Sequence, residues 1–213
     1  MIRTVLAAAA LAVAASAAGA ATVFSEDFDD EALAYGTQLN FTTDPGEVFS
    51  SGFGVRNGTV DLIAAGNPFG IACAGGSMGC LDLNGSTGDN GLLFTNLGLV
   101  AGQTYELSFS LSGNQGRNTL NDTVGYGLLR VPTASYLETV RFDEGFATYT
   151  QTFRVAADGT YTLFFKNGGP DSDNIGAILD NVALAAVPLP AAGFLLLGAI
   201  GGLAALRRRR AAA

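Results

Sequence analysis

Along this chain apolar and polar residues alternate in short stretches, separated by clusters of Gly, Asn, Asp and Pro. The clearest stretch is residues 104–111. Tyr105, Leu107, Phe109 and Leu111 share one side, and Glu106, Ser108 and Ser110 the other. A period of two over that length predicts a strand with one dry face and one wet face. Tyr149, Gln151, Phe153 and Val155 alternate with Thr150, Thr152 and Arg154. After Ala157-Asp158-Gly159 the pattern resumes at Tyr161, Leu163 and Phe165, which predicts a hairpin. Residues 59–64, 79–83, 92–96, 123–130 and 177–185 read as further strands, and no long segment shows a helical period. About eight to ten strands in one domain predict an all-β fold, an antiparallel two-sheet jelly-roll sandwich.

The two ends break this pattern. Residues 1–20 carry Arg3, then an apolar run, then Ala18-Gly19-Ala20, the layout of a secretory signal peptide cleaved after Ala20. At the other end Val187-Pro188-Leu189-Pro190-Ala191 precedes a charge-free apolar run and then Arg207, Arg208, Arg209 and Arg210. Residues 191–206 would span roughly 24 Å as a helix, enough for one crossing of a thin bilayer. The four Arg then hold that end in the cytoplasm. The chain thus divides into a signal at 1–20, a β-sandwich body at 21–186 and a tail at 187–213.

This tail resembles the PEP-CTERM class of sorting signals in its VPLPA variant, in which a Pro-containing motif, an apolar helix and an Arg cluster follow in that order. The resemblance implies an exosortase-type transpeptidase as partner. It also implies an inner-membrane precursor anchored by the C-terminal helix, and delivery to the cell surface or extracellular matrix. A permanent single-span anchor is the alternative.

Removing the ends changes the charge. The whole chain carries −8, but five of its eleven basic residues and none of its nineteen acidic ones lie in the terminal segments, so the body carries −13. Such a surface repels phosphate, which excludes nucleic acid as a partner. The chain has no His. That removes Ser-His-Asp and Cys-His catalysis and His-based zinc sites together. Gly75-x-Ser77-x-Gly79 therefore matches a nucleophile elbow only in letters. Cys73 and Cys80, in an exported protein, predict a disulfide that pins a Gly-rich loop. Asp171-x-Asp173-x-Ile175 and Asp82-x-Asn84-x-Ser86 are incomplete as calcium loops.

The body resembles the carbohydrate-binding-like, galactose-binding-like jelly rolls. The resemblance rests on Phe24-Ser25-Glu26-Asp27-Phe28-Asp29, Leu81-Asp82-Leu83-Asn84-Gly85, residues 100–109 and Ala177-Ile178-Leu179-Asp180-Asn181-Val182. Glu26, Asp27, Asp29, Asp30 and Glu31 crowd what reads as the first strand, and Asp180 falls on the alternating face of Ile178, Val182 and Leu184. The resemblance implies a structural calcium bridging first and last strands through Glu26, Asp29 and Asp180. The alternative leaves Asp180 accepting backbone N–H groups and the other carboxylates in water. Sugar-binding modules stack aromatic rings on their ligand; Trp is absent, leaving Tyr35, Tyr126 and Tyr136 as substitutes. The function expected is that of a noncatalytic, surface-sorted protein that binds extracellular polysaccharide or builds a matrix or biofilm. A purely structural matrix protein and a glycoside-hydrolase-type enzyme are the alternatives.

Overall fold

A computed structural model describes residues 20–42, 49–168 and 174–188. Among them the alternating stretches become twelve strands and one short helix. In chain order these are β1 (Ala21–Glu26), α1 (Asp29–Tyr35), β2 (Gln38–Phe41), β3 (Gly54–Arg56), β4 (Val60–Ala64), β5 (Gly79–Asp82) and β6 (Leu92–Leu99). There follow β7 (Thr104–Ser112), β8 (Asp122–Leu128), β9 (Ser135–Val140), β10 (Ala147–Arg154), β11 (Gly159–Asn167) and β12 (Ile178–Val187). One sheet has the order β10-β7-β12-β5-β4-β2, with β1 also paired to β12. The other has the order β3-β6-β11-β8-β9. The ladders within both sheets are antiparallel. The body is an all-β two-sheet sandwich of the jelly-roll kind.

The core lies where the apolar rows of the two sheets meet. Tyr105, Leu107, Phe109 and Leu111 of β7 all point into it. Phe109 packs edge-on against Tyr126 and Phe165 from the opposite sheet, with ring centroids 4.8 and 5.1 Å apart.

Three expectations are corrected. The hairpin predicted for β10 and β11 does not form, because β10 pairs with β7 in one sheet and β11 with β6 and β8 in the other. Both walls of a sandwich need an apolar row, so the turn carries the chain across the core and Phe153 faces Leu163 and Phe165 from the opposite side. The acidic run is not one strand either. Phe28 takes a left-handed conformation (φ 59°) that ends β1 and opens α1, so Asp29, Asp30 and Glu31 form a first helical turn. Seven residues are too few for a helical period to show in sequence.

The third correction concerns Asp180. Asp180 pairs with Ser110 and Ala183 with Ser108, so β12 has one extra residue there, a β-bulge with Asn181 at φ 50°. The bulge shifts the alternation. Leu179, Val182 and Leu184 face the main core, whereas Ile178 packs on the other side with Ile63, Ile71, Cys73 and Cys80. Asp180 shares the Ile178 side, not that of Val182 and Leu184.

Among the described residues no helix is long and apolar enough to cross a membrane. The signal before Ala20 and the tail from Leu189 through the Arg cluster lie outside the described residues. Val187 ends β12 opposite Thr104, so the tail motif begins where the last strand stops.

Candidate functional site

Three polar features stand out around this scaffold, and the first is the loop closed by the Cys73–Cys80 disulfide. Two carboxylates hold it from beneath. Asp180 Oδ2 accepts the Ala74 N–H (2.9 Å) and the Ser77 hydroxyl (2.7 Å), while Oδ1 accepts the Asn181 N–H (2.7 Å). Asp29 Oδ1 accepts the N–H groups of Met78 (2.7 Å) and Gly79 (2.8 Å). Burial pushes the Asp180 carboxyl up, and its bonds to Ser77, Ala74 and Asn181 hold it back. Gly79 has to be glycine, since a Cβ there would stand 2.0 Å from the Phe28 carbonyl oxygen. Ser77 is therefore a structural peg, not a nucleophile. Replacing both cysteines by serine is expected to lower stability by about 2.5 kcal/mol through loop entropy. Urea denaturation checks this, and an unchanged midpoint would mean that the carboxylate anchors alone hold the loop.

The second feature is an acidic cleft of about 490 Å³ between β1, α1, Ser50-Ser51 and the bulge of β12. Glu26, Asp27, Asp30, Glu31, Ser51 and Asn181 are among its lining residues. Glu26 Oε1 accepts the Phe28 N–H (2.5 Å), and Glu31 Oε1 accepts the N–H (2.6 Å) and hydroxyl (2.5 Å) of Ser50. Burial pushes the Glu26 carboxyl up. Ser51 and the Phe28 N–H oppose this, and the charges of Glu31 and Asp27 add to it. Ser51 is close enough to exert that effect, yet Glu26 Oε2 and Ser51 Oγ make no hydrogen bond of ordinary geometry. Of the expected set, only Glu26 lines the cleft; Asp29 and Asp180 hold the disulfide loop. Among the described residues no three acidic side chains converge closely enough to hold an ion by themselves.

The third feature is the outer face of the five-stranded sheet. Leu93, Leu163 and Phe165 point inward, so Phe94 of β6 and Phe164 of β11 point outward as direct cross-strand partners. Gly54 and Gly127 stand at the two ends of this pair, leaving the rings without tall neighbours along the row. The Arg56 guanidinium lies over the Phe94 ring at 4.4 Å, a cation–π contact. In the next row Lys166, Gly125 and Leu137 follow one another, and Leu137 is 75% exposed. On the other side the Thr162 hydroxyl donates to Asn96 Oδ1 (2.7 Å).

Sequence reading had not singled out Phe94 or Phe164. The signal was there in β11, where inward Tyr161, Leu163 and Phe165 leave a ring at position 164 on the polar side. Of the tyrosines named as stacking candidates, Tyr126 is a core residue and Tyr136 packs against the core, which leaves Tyr35 exposed at the end of α1. Asp82 and Asn84 belong to a buried polar cluster in which Arg117 pairs with Asp82. Asp171 and Asp173 lie outside the described residues.

No family model and no curated protein matches the sequence. Solved structures do share the fold. A Stig cyclase from Fischerella sp. TAU aligns with a TM-score of 0.53 at 14% identity, covering 80% of this chain and 99% of that one. The CBM22-1 xylan-binding domain of Xyn10C from Paenibacillus barcinonensis aligns at 0.49 and 13% identity, covering 82% and 99%. A family 35 carbohydrate-binding module from Clostridium thermocellum aligns at 0.42 and 15% identity, covering 77% and 99%. At these identities the likeness concerns the fold alone.

Proposed function

We propose that this protein is an exported, surface-sorted, noncatalytic β-sandwich that binds extracellular polysaccharide on the outer face of its five-stranded sheet. The observation that carries the reading is the outward pair Phe94–Phe164. Partly exposed rings on the outer face of a sheet, beside hydrogen-bonding groups, suit pyranose faces and their hydroxyls. Asn96 and Thr162 supply such groups on one side, and Arg56 and Lys166 supply positive charge on the other. In a body of net charge −13 these two groups serve as donors to sugar hydroxyls, and the overall charge favours a neutral polymer over an acidic one. Among the described residues, the outward rows around the pair hold no Asp or Glu. Glycoside hydrolysis needs two carboxyl groups, so the reading is of binding without turnover. The signal and tail support export and processing by an exosortase-type transpeptidase.

Affinity electrophoresis in gels containing a neutral polysaccharide tests the site. The protein is expected to be retarded, with Phe164→Ala weakening binding about thirtyfold, the loss of one aromatic hot spot worth about 2 kcal/mol. Added salt should leave retardation nearly unchanged, and no reducing sugar should appear. Equal retardation of wild type and Phe164→Ala, or none of either by acidic or neutral polysaccharides, would sink the proposal.

A further inference from the structure

The chain holds four Asn-Gly dipeptides, beginning at Asn57, Asn84, Asn90 and Asn167. Glycine after asparagine leaves the peptide nitrogen open to approach by the side-chain amide, because no Cβ shields it. Three of the four pairs are shut. Asn84, Asn90 and Asn167 are buried. The nitrogen that would have to react is also tied up in each: the Gly85 and Gly91 N–H groups both donate to the Thr59 carbonyl (3.0 Å each), and the Gly168 N–H donates to that of Thr123.

Asn57 differs on both counts. It lies between β3 and β4 and is exposed. Among the described residues neither its side chain nor the Gly58 N–H has a hydrogen-bond partner. Asn57 holds a left-handed backbone (φ 54°), and a Cβ on Gly58 would stand 2.7 Å from the backbone of Asp89 and Asn90. Thr59, next in line, donates its N–H to the Asp89 carbonyl (2.9 Å) and accepts from Gly85 and Gly91. The Gly58 nitrogen is thus held in place on a packed base, while the Asn57 side chain is free to turn toward it.

We infer that Asn57 is a site of spontaneous deamidation in the folded protein. The Gly58 nitrogen bonds to Asn57 Cγ, the Cγ–Nδ2 bond breaks, and ammonia leaves with the proton that the Gly58 nitrogen gave up. This closes a succinimide. Water then opens the ring, at Cγ to give aspartate or at the main-chain carbonyl to give isoaspartate. Water is the only reagent consumed. Either product places a carboxylate beside Arg56, whose guanidinium lies over the Phe94 ring at 4.4 Å. Charges on adjacent residues lie well within the screening length, so the carboxylate competes with the ring for the guanidinium. That consequence, unlike the chemistry, rests on the sugar face proposed above.

The test is peptide mapping by mass spectrometry after incubation at mildly alkaline pH, of the folded protein and of the protein in urea. In urea all four pairs should convert at similar rates, since the residue after each asparagine is the same. In the folded protein Asn57 should convert while the other three lag by at least about tenfold, because their nitrogens react only after local opening. An Asn57 that stays intact in the folded protein, or equal rates at all four, overturns the inference. Affinity electrophoresis reads the consequence. Asn57→Asp should bind the neutral polysaccharide about threefold more weakly than Asn57→Ser, the worth of one exposed cation–π contact. Equal binding by these two variants overturns the link to Arg56. The peptide map needs no sugar, so a failed deamidation site and a failed sugar face are told apart.

Discussion

Arg117→Ala is expected to destabilise the protein, and by about 1.4 kcal/mol more at pH 8 than at pH 5. Asp82 lies on β5 with 1% of its surface exposed, and Arg117 Nη2 donates to its Oδ2. Its Oδ1 accepts the N–H groups of Asn84 and Gly176, each at 3.0 Å. Burial pushes the Asp82 carboxyl from its ordinary 3.8 up to about 7, against the pull of Arg117 and the Asn84 N–H; Asp61, its cross-strand partner, adds to the rise. Above that range the wild-type group is an anion paired with the guanidinium, whereas without Arg117 it takes up a proton, which costs about 1.4 kcal/mol for each pH unit above 7. Below it the group is protonated and the loss is closer to that of one hydrogen bond.

The sign for the wild type follows from the same shift. Between about pH 4 and pH 7 the folded protein holds a proton at Asp82 that the unfolded chain has released, so this group's contribution to stability falls as pH rises through that window. In Arg117→Ala the carboxyl value rises further and the window extends upward. Urea denaturation of both proteins at pH 5 and pH 8 isolates the effect by difference, because the other titrating groups are common to the two. A cost independent of pH would mean that Arg117 acts through packing alone.

Phe109→Ala is expected to cost about 3–5 kcal/mol, and Phe164→Ala under about 1 kcal/mol, although the residue type and the change are identical. Phe109 is fully enclosed. Its ring meets Tyr126, Tyr149 and Phe165, so truncation opens a cavity between the two sheets that none of these rings can fill. Phe164 lies outward beside Gly125, and truncation there exposes only sheet surface. Chemical denaturation paired with the electrophoresis assay separates the roles. Phe109→Ala should lose stability, whereas Phe164→Ala should lose polysaccharide retention at nearly unchanged stability. The opposite ranking would place the functional face on the wrong side of the sheet.

Much of this was legible in the residues themselves. Alternation marked β7, β10 and β11 and their buried sides correctly, because a period of two is a local property of an extended backbone whose one face is dry. The disulfide was legible because only seven positions separate the chain's two cysteines, a span that closes easily. The conformations of Phe28 and Asn181 were not. Both take a left-handed backbone with no glycine to announce it; asparagine tolerates that conformation, whereas at Phe28 tertiary packing stabilises what local preference resists. The carboxylates beside those two residues moved with them: Asp29 to the loop, Glu31 to the cleft, and Asp180 to the side of β12 opposite Val182 and Leu184.

Export and sorting of the two ends belong to the proposal, and what the sequence by itself determined is therefore the class of architecture and the acidity of the body. These depend on composition, order and period, which need no partner. Tertiary structure decided which carboxylates share a cleft, which sheet each strand joins and which phenylalanines meet water. Those outcomes depend on a crossing between sheets, one bulge and one left-handed residue. A one-residue shift of phase reverses the face of every side chain that follows it, and only the packed partner strands reveal that it has occurred.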